Sequence, residues 1–234
     1  MQAAVLRGSG SGLQSVEAGL RKTSGAIKIF VFFTTDNYIT KDDWRGGYNT
    51  DFEGWQQQSG TIFPGSGAAV TSVYNGTQYG IDLAIEYLTP GKWKVWVNGE
   101  YMGYYARCWE DYCNGTNPYV FASSGLRNRA DVINWQGEVY DAATPHSTTT
   151  DMGSGHPASE GFGKAAYIGN IQVRPVGGNY MPYQDVAAAE SIYASDSACY
   201  SVNGPYGSGG GWVNSLYYGG TGKNVPGNPT VCNY

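Results

Sequence analysis

Apolar and polar positions alternate along much of this chain. In 78–88, QYGIDLAIEYL, the residues Tyr79, Ile81, Leu83, Ile85 and Tyr87 fall on one face of a period-two pattern. In 92–106, KWKVWVNGEYMGYYA, the face is Trp93, Val95 and Val97. Asn98-Gly99 follows, a pair suited to a type I′ hairpin turn. Strand signals recur at 13–20, 26–35, 68–75, 131–140, 165–175 and 211–220. Short helical turns are expected near 123–130 and 186–194, and no long amphipathic helix is present. The stretch 41–60 is polar, Gly-rich and aromatic and reads as a long loop, of a length that is often functional. The pattern predicts an all-β, single-domain β-sandwich of two packed antiparallel sheets over 13–234. Residues 1–12, MQAAVLRGSGSG, lack the long apolar core of a signal peptide. They read as a flexible lead-in or cloning remnant on a trimmed mature chain.

Composition agrees with that pattern. Tyr (20) and Trp (7) favour strands, and 35 Gly favour turns. The net charge of −5 comes without any run of Lys or Arg, so no nucleic-acid partner is expected. No apolar stretch is long enough to span a membrane as a helix, and a monomer is expected. The four cysteines allow three pairings. Cys108 with Cys113, close in sequence, and Cys199 with Cys232, which bracket the Gly-rich tail, are the expected pairs. A zinc site is the rival, but neither a Cys-x-x-Cys nor a nearby His supports it. Two disulfides imply an oxidising compartment and a secreted protein. Asn75-Gly-Thr and Asn114-Gly-Thr are acceptor sequons, which matter only in a glycosylating host.

The residues narrow the chemistry by exclusion. The two histidines, His146 and His156, form no H-E-x-x-H motif, and no G-x-S-x-G elbow is present. Gly161-Phe-Gly163-Lys lacks the βαβ setting of a dinucleotide site. Carboxylates remain. Of eight glutamates, Glu53, Glu100 and Glu110 sit in polar or turn contexts, Glu160 in a loop and Glu190 in a possible helix. Glu17, Glu86 and Glu138 lie inside strand-like runs, where an unpaired buried charge costs several kcal/mol or more. Glu86 shares its face with Asp82, Ala84 and Leu88, the expected solvent side of an amphipathic strand. Glu138 shares its face with Asn134, Gln136 and Tyr140, a polar ladder. Glu17 shares its face with Ser15 and Gly19, and Gly19 would leave room for a substrate. On pattern alone a strand glutamate is more often solvated than catalytic, so this pair stays one option among several.

Two stretches carry a resemblance. DMGSGHPASEGFGKAAYIGNIQV (151–173) closely resembles the M-G-S-G-H…G-E-G-F-G-K-A segment of the neprosin family. SVEAGL (15–20) resembles its E-A-G-W segment, QGEV (136–139) its G-G-E segment, and the tail from Cys199-Tyr200 through SLYYGGTGKN to Cys232 its ending. Order and spacing agree over roughly 13–232. The resemblance implies a β-sandwich glutamic peptidase that cleaves after proline in acid, with Glu17 as the first catalytic glutamate and Glu138 as the second. The chain departs at Leu20, where the family has tryptophan, and at Gln136, where it has glycine. Cys108 and Cys113 are an addition, the 41–60 loop lacks a cysteine pair of the plant members, and no activation segment is seen.

A two-glutamate mechanism needs no metal and no organic cofactor. Two close carboxylates share one proton. One activates water, and the other polarises the carbonyl and supplies a proton to the leaving nitrogen. The sequence does not assign the two roles; Glu138 is the leaning for the base. Asn134 or Gln136 would donate to the oxyanion, with Tyr140 on the same face. Trp44, Trp55, Tyr48 and Trp135 are candidates to stack on a proline ring, although such aromatics are more often packing. The expected partners are proline-containing peptides or proteins. Ser154 beside His156 reads as a loop-shaping hydrogen bond rather than a nucleophile pair. The rivals are a two-carboxylate glycoside hydrolase on a β-sandwich and a non-catalytic carbohydrate-binding domain.

Overall fold

Strands, numbered in chain order, supply nearly all the regular structure of the computed structural model. It describes residues 1–41, 45–51, 54–89, 91–105, 120–140, 148–182, 191–206 and 214–222. These fall into two compact units: 1–71 with 80–135, and 72–79 with 136–234.

The first unit is a sandwich. Strands β1 (Gln2–Arg7), β2 (Gln14–Thr23), β3 (Ala26–Thr34), β4 (Gly46–Tyr48) and β9 (Val132–Gln136) form a sheet in the order β4-β3-β2-β1-β9. Strands β5 (Trp55–Gln57), β6 (Leu83–Thr89), β7 (Lys92–Val97) and β8 (Glu100–Tyr105) form a second, in the order β5-β8-β7-β6. β7 alternates half-buried and buried positions along its length, and its inward residues are those that the period-two pattern picks out. The inner faces share one core. Val5, Val16, Ala18, Val31 and Phe33 from the first sheet meet Trp55, Trp93, Val95, Val97 and Tyr105 from the second. Burying each of the larger side chains contributes about 1.5–3 kcal/mol. The β7–β8 turn forms as its sequence requires: Asn98 and Gly99 both take left-handed angles, φ 51° and 76°.

Several expectations need correction. Gln2–Arg7 is not a flexible lead-in. It pairs with β2 from Gln2↔Gly19 to Arg7↔Gln14, and Gln2, Ala4 and Val5 are buried. The region 41–60 is not one loop, because it carries β4 and β5, each at the edge of a sheet. The stretch 68–75 forms no strand. Val70 and Val73 are exposed, and Asn75, at φ 53°, turns the chain with Gly76. β6 starts only at Leu83, so Tyr79 and Ile81 precede it. β9 stops at Gln136. Residues 123–128 are hydrogen-bonded turns rather than helix. They are seated by Gln14, whose Oε1 accepts from Ala122 N (3.1 Å) and Leu126 N (2.9 Å).

The second unit holds a three-stranded sheet and a two-stranded one. The first has β10 (Ala166–Ile168), β14 (Ser215–Gly219) and β13 (Ser201–Tyr206) in the order β10-β14-β13. β11 (Gln172–Val173) pairs with β12 (Met181–Pro182). The run expected at 165–175 is split by Asn170, at φ 54°. Cys199 is buried and disulfide-bonded. Cys108, Cys113, Cys232, His146, Trp44, Glu53, Glu110 and Glu190 lie outside the described residues, as does the Asn114 sequon.

Candidate active site

The first six residues of β2 are all buried, so both faces of this strand are covered. Val16 and Ala18 enter the core, which turns Ser15, Glu17 and Gly19 to the opposite face. Glu17 is 5% exposed. Its cross-strand neighbours are Ala4 on β1 and Phe32 on β3. The carboxylate accepts three hydrogen bonds. Gln2 Nε2 donates to Oε2 at 3.0 Å, Ser15 Oγ to Oε1 at 2.7 Å, and Tyr38 Oη to Oε1 at 2.6 Å. Donors of this kind favour the ionised form of a carboxylate. Across the sheet lies Tyr105. Burial first, and the charge on Glu17 second, push its hydroxyl well above the ordinary tyrosine value, so it stays neutral.

Gly19 leaves no room for a substrate. A Cβ there would sit 2.1 Å from Met1 O and 2.8 Å from Gln2 Cα, because β1 lies against it. Trp55 is a core residue and its Nε1 donates to Gln57 Oε1 (2.9 Å). Tyr48 packs with Phe30 and Phe32 at centroid distances of 5.9 and 4.7 Å, under the Arg21 guanidinium. Trp55 is thereby core packing rather than the expected aromatic wall, while half-buried Tyr48 lies on the sheet face that carries Glu17.

Glu138 differs from its expected setting. It lies two residues past the end of β9 and is exposed, not half-buried within a strand. Gln136 Nε2 donates to its Oε2 at 3.3 Å, so the structure does bring those two polar side chains together. Gly137 between them packs under a ring: a Cβ there would fall 2.3 Å from Tyr218 Cδ2 and 2.9 Å from Met152 Sδ. Asn134 and Trp135 are half-buried in β9, while Tyr140 is 81% exposed. Glu86 is half-buried rather than on an open solvent face, and accepts from Trp96 Nε1 at 3.0 Å.

The M-G-S-G-H segment is a tight turn. Gly153 and Gly155 take φ 64° and 82°, and Met152 N donates to Gly220 O at 2.9 Å. His156 N donates to Ser154 Oγ at 3.3 Å, the loop-shaping bond expected of this pair. The imidazole stacks on Tyr74 at 4.1 Å and its Nδ1 lies 3.1 Å from Glu160 Oε1. Tyr74 Oη donates to Glu160 Oε2 at 2.8 Å. That bond, then the one with His156, holds the Glu160 carboxyl below the usual carboxylate range.

Sequence reasoning misses Gln2 and Tyr38. Gln2 belongs to the stretch read as a lead-in, and Tyr38 sits in a loop with no periodicity. The one available signal was the amphipathic QAAVLR run ahead of β2. A protein-family model described as Neprosin matches residues 1–221. The match takes in β1 and all the groups described around Glu17 and Glu138.

Proposed function

The chain belongs to the neprosin family and is in general a peptidase-like hydrolase, and on that premise we propose a secreted, acid-acting glutamic endopeptidase that cleaves after proline. Glu17 and Glu138 are the proposed catalytic glutamates. The observation that carries this reading is Glu17 itself, a buried strand carboxylate that accepts from three side-chain donors. A carboxylate so held has its oxygen positions and its charge preorganised.

The donors around Glu17 support the opposite assignment of roles to the one the sequence leans towards. Glu17, stabilised as the anion, is the base. Glu138, exposed to solvent and hydrogen-bonded to Gln136, carries the shared proton. Glu17 takes a proton from water as the water oxygen bonds to the scissile carbonyl carbon. Glu138 gives its proton to the carbonyl oxygen. As the tetrahedral species collapses, Glu17 passes its proton to the leaving nitrogen, Glu138 recovers its own, and the C–N bond breaks. The pair ends with one proton, as it began, and titrates as a unit. Gln136, hydrogen-bonded to Glu138, is the proposed orienting group for the acid. The proposed disulfides are Cys108–Cys113 and Cys199–Cys232.

The test is a proline-containing peptide incubated with the protein from acid to neutral pH, with products mapped by mass spectrometry. Cuts on the C-terminal side of proline, confined to acid and abolished in a folded Glu138→Gln variant, are expected. Cuts at other residues would overturn the proline specificity while leaving the peptidase. Full activity in Glu138→Gln would remove it from the mechanism.

A further inference from the structure

Tyr38 is placed at a conformational cost that its local sequence does not explain. Asn37 and Tyr38 are consecutive residues in the left-handed region, at φ 61° and 64°. Asparagine tolerates that region, but a bulky aromatic there is an outlier of the kind that collects at functional sites. The loop is bolted down to hold it. Asn37 N donates to Leu13 O (2.9 Å), Tyr38 N to Thr34 Oγ1 (2.9 Å), and Thr40 N to Asp36 Oδ1 (3.3 Å). The ring stacks on Phe32, the cross-strand neighbour of Glu17, at 5.7 Å and 19°. The phenol then ends 2.6 Å from Glu17 Oε1, while the side chain remains 45% exposed.

A tyrosine needed only for packing would not require that exposure or that backbone. We propose that Tyr38 is a positioning residue for Glu17: its phenol reaches in from the solvent side and holds the carboxylate in the ionised, water-activating state. This rests on the reading of Glu17 as the base. The titratable and charged groups around Glu17 among the described residues include Tyr38, Asp36 in the same loop, Arg21 further along the same face of β2 with Lys28 opposite it on β3, Tyr48 on β4 against Phe32, the N-terminal ammonium bonded to Leu20 O, and Tyr105 across the sheet. β1 presents uncharged Gln2 and Ala4, and β3 presents Phe30 and Phe32. Tyr38 donates directly to the carboxylate.

The experiment compares wild type with Tyr38→Phe, which keeps the ring on Phe32 and removes only the hydroxyl. Glutamate 13C-carboxyl resonances are followed against pH by NMR, with Glu17 assigned from its absence in Glu17→Gln. Activity on the proline peptide is measured over the same range. The expected result is a rise of roughly one pH unit in the Glu17 midpoint, a tenfold gain in proton affinity, since one charge-assisted donor is lost. The acid limb of the activity profile moves up by the same amount, with kcat lowered and KM little changed. An unmoved Glu17 midpoint overturns the proposal. A midpoint that moves while the acid limb stays would show that Tyr38 holds Glu17 but that Glu17 is not the base, which overturns both readings. Should Tyr38→Phe fail to fold, wild type labelled at tyrosine Cζ decides. The Tyr38 signal then follows the Glu17 midpoint, or the proposal falls.

Discussion

A methyl group added at Gly19 meets backbone, and one added at Gly137 meets the ring of buried Tyr218. Neither neighbour can step aside cheaply. Gly19→Ala must push β1 away, and with it Gln2, which donates to Glu17. Gly137→Ala must displace a packed aromatic beside Met152. Each is expected to cost about 1–3 kcal/mol, read as a lowered denaturant midpoint at unchanged slope. Gly19→Ala should also lower activity beyond its effect on folding. Residue-scale chemistry was legible where it followed strand periodicity. Glu17 stood out because Val16 and Ala18 flank it and alternate away. Its partners Gln2 and Tyr38 were not legible, because a cross-strand diagonal and a left-handed loop leave no periodic trace. Glu138 was placed in the wrong setting because Val139 prolongs the apolar pattern beyond the point where pairing ends.

At the scale of elements, strands with clear alternation and good turn chemistry formed as read, the β7–β8 hairpin above all. Failures came where a turn residue interrupts a run. Asn75 and Asn170 both adopt positive φ, and each ends a stretch that apolar content alone would continue. β1 was missed for the opposite reason: the glycines at 8, 10 and 12 made a real strand look like its own linker. Gln14 shows how one polar residue can seat an element. Its Oε1 serves two backbone N–H groups of the 121–128 segment, and Gly125 packs against it so tightly that a Cβ would overlap the amide. Gln14→Ala leaves both donors without that acceptor. It is expected to cost about 2 kcal/mol or more and to raise hydrogen exchange at Ala122 and Leu126 ahead of the rest of the sheet.

The molecule as a whole was the most legible level. An aromatic, Gly-rich chain with little helical periodicity gave an all-β fold, and two sheets do face each other across one core in the first unit. Its division into two compact units was not legible, since no linker composition marks Trp135. Each unit carries a carboxylate held below the usual range. Glu100 is held by Ser59 and then Thr61, and Glu160 by Tyr74 and then His156. A folded value below the unfolded one stabilises the protein above the unfolded value, and that contribution is lost as pH falls through the folded value. For these two groups that loss falls between the ordinary carboxylate value and the lowered one. Glu100→Gln and Glu160→Gln should each make the melting temperature depend less on pH in that lower window. A variant whose melting temperature keeps the wild-type pH dependence in that window would count against its assignment.

The central claim is that Glu17 is the base. The most direct test is kcat of Glu17→Gln on the proline peptide at the acid optimum of wild type, with folding checked by its melt. Glutamine keeps the shape and most of the surrounding contacts but cannot accept a proton from water. The account predicts a loss of about a thousandfold, within the range that general-base catalysis supplies. A folded variant that keeps its kcat within about twofold of wild type, far less than removal of a base allows, would contradict it.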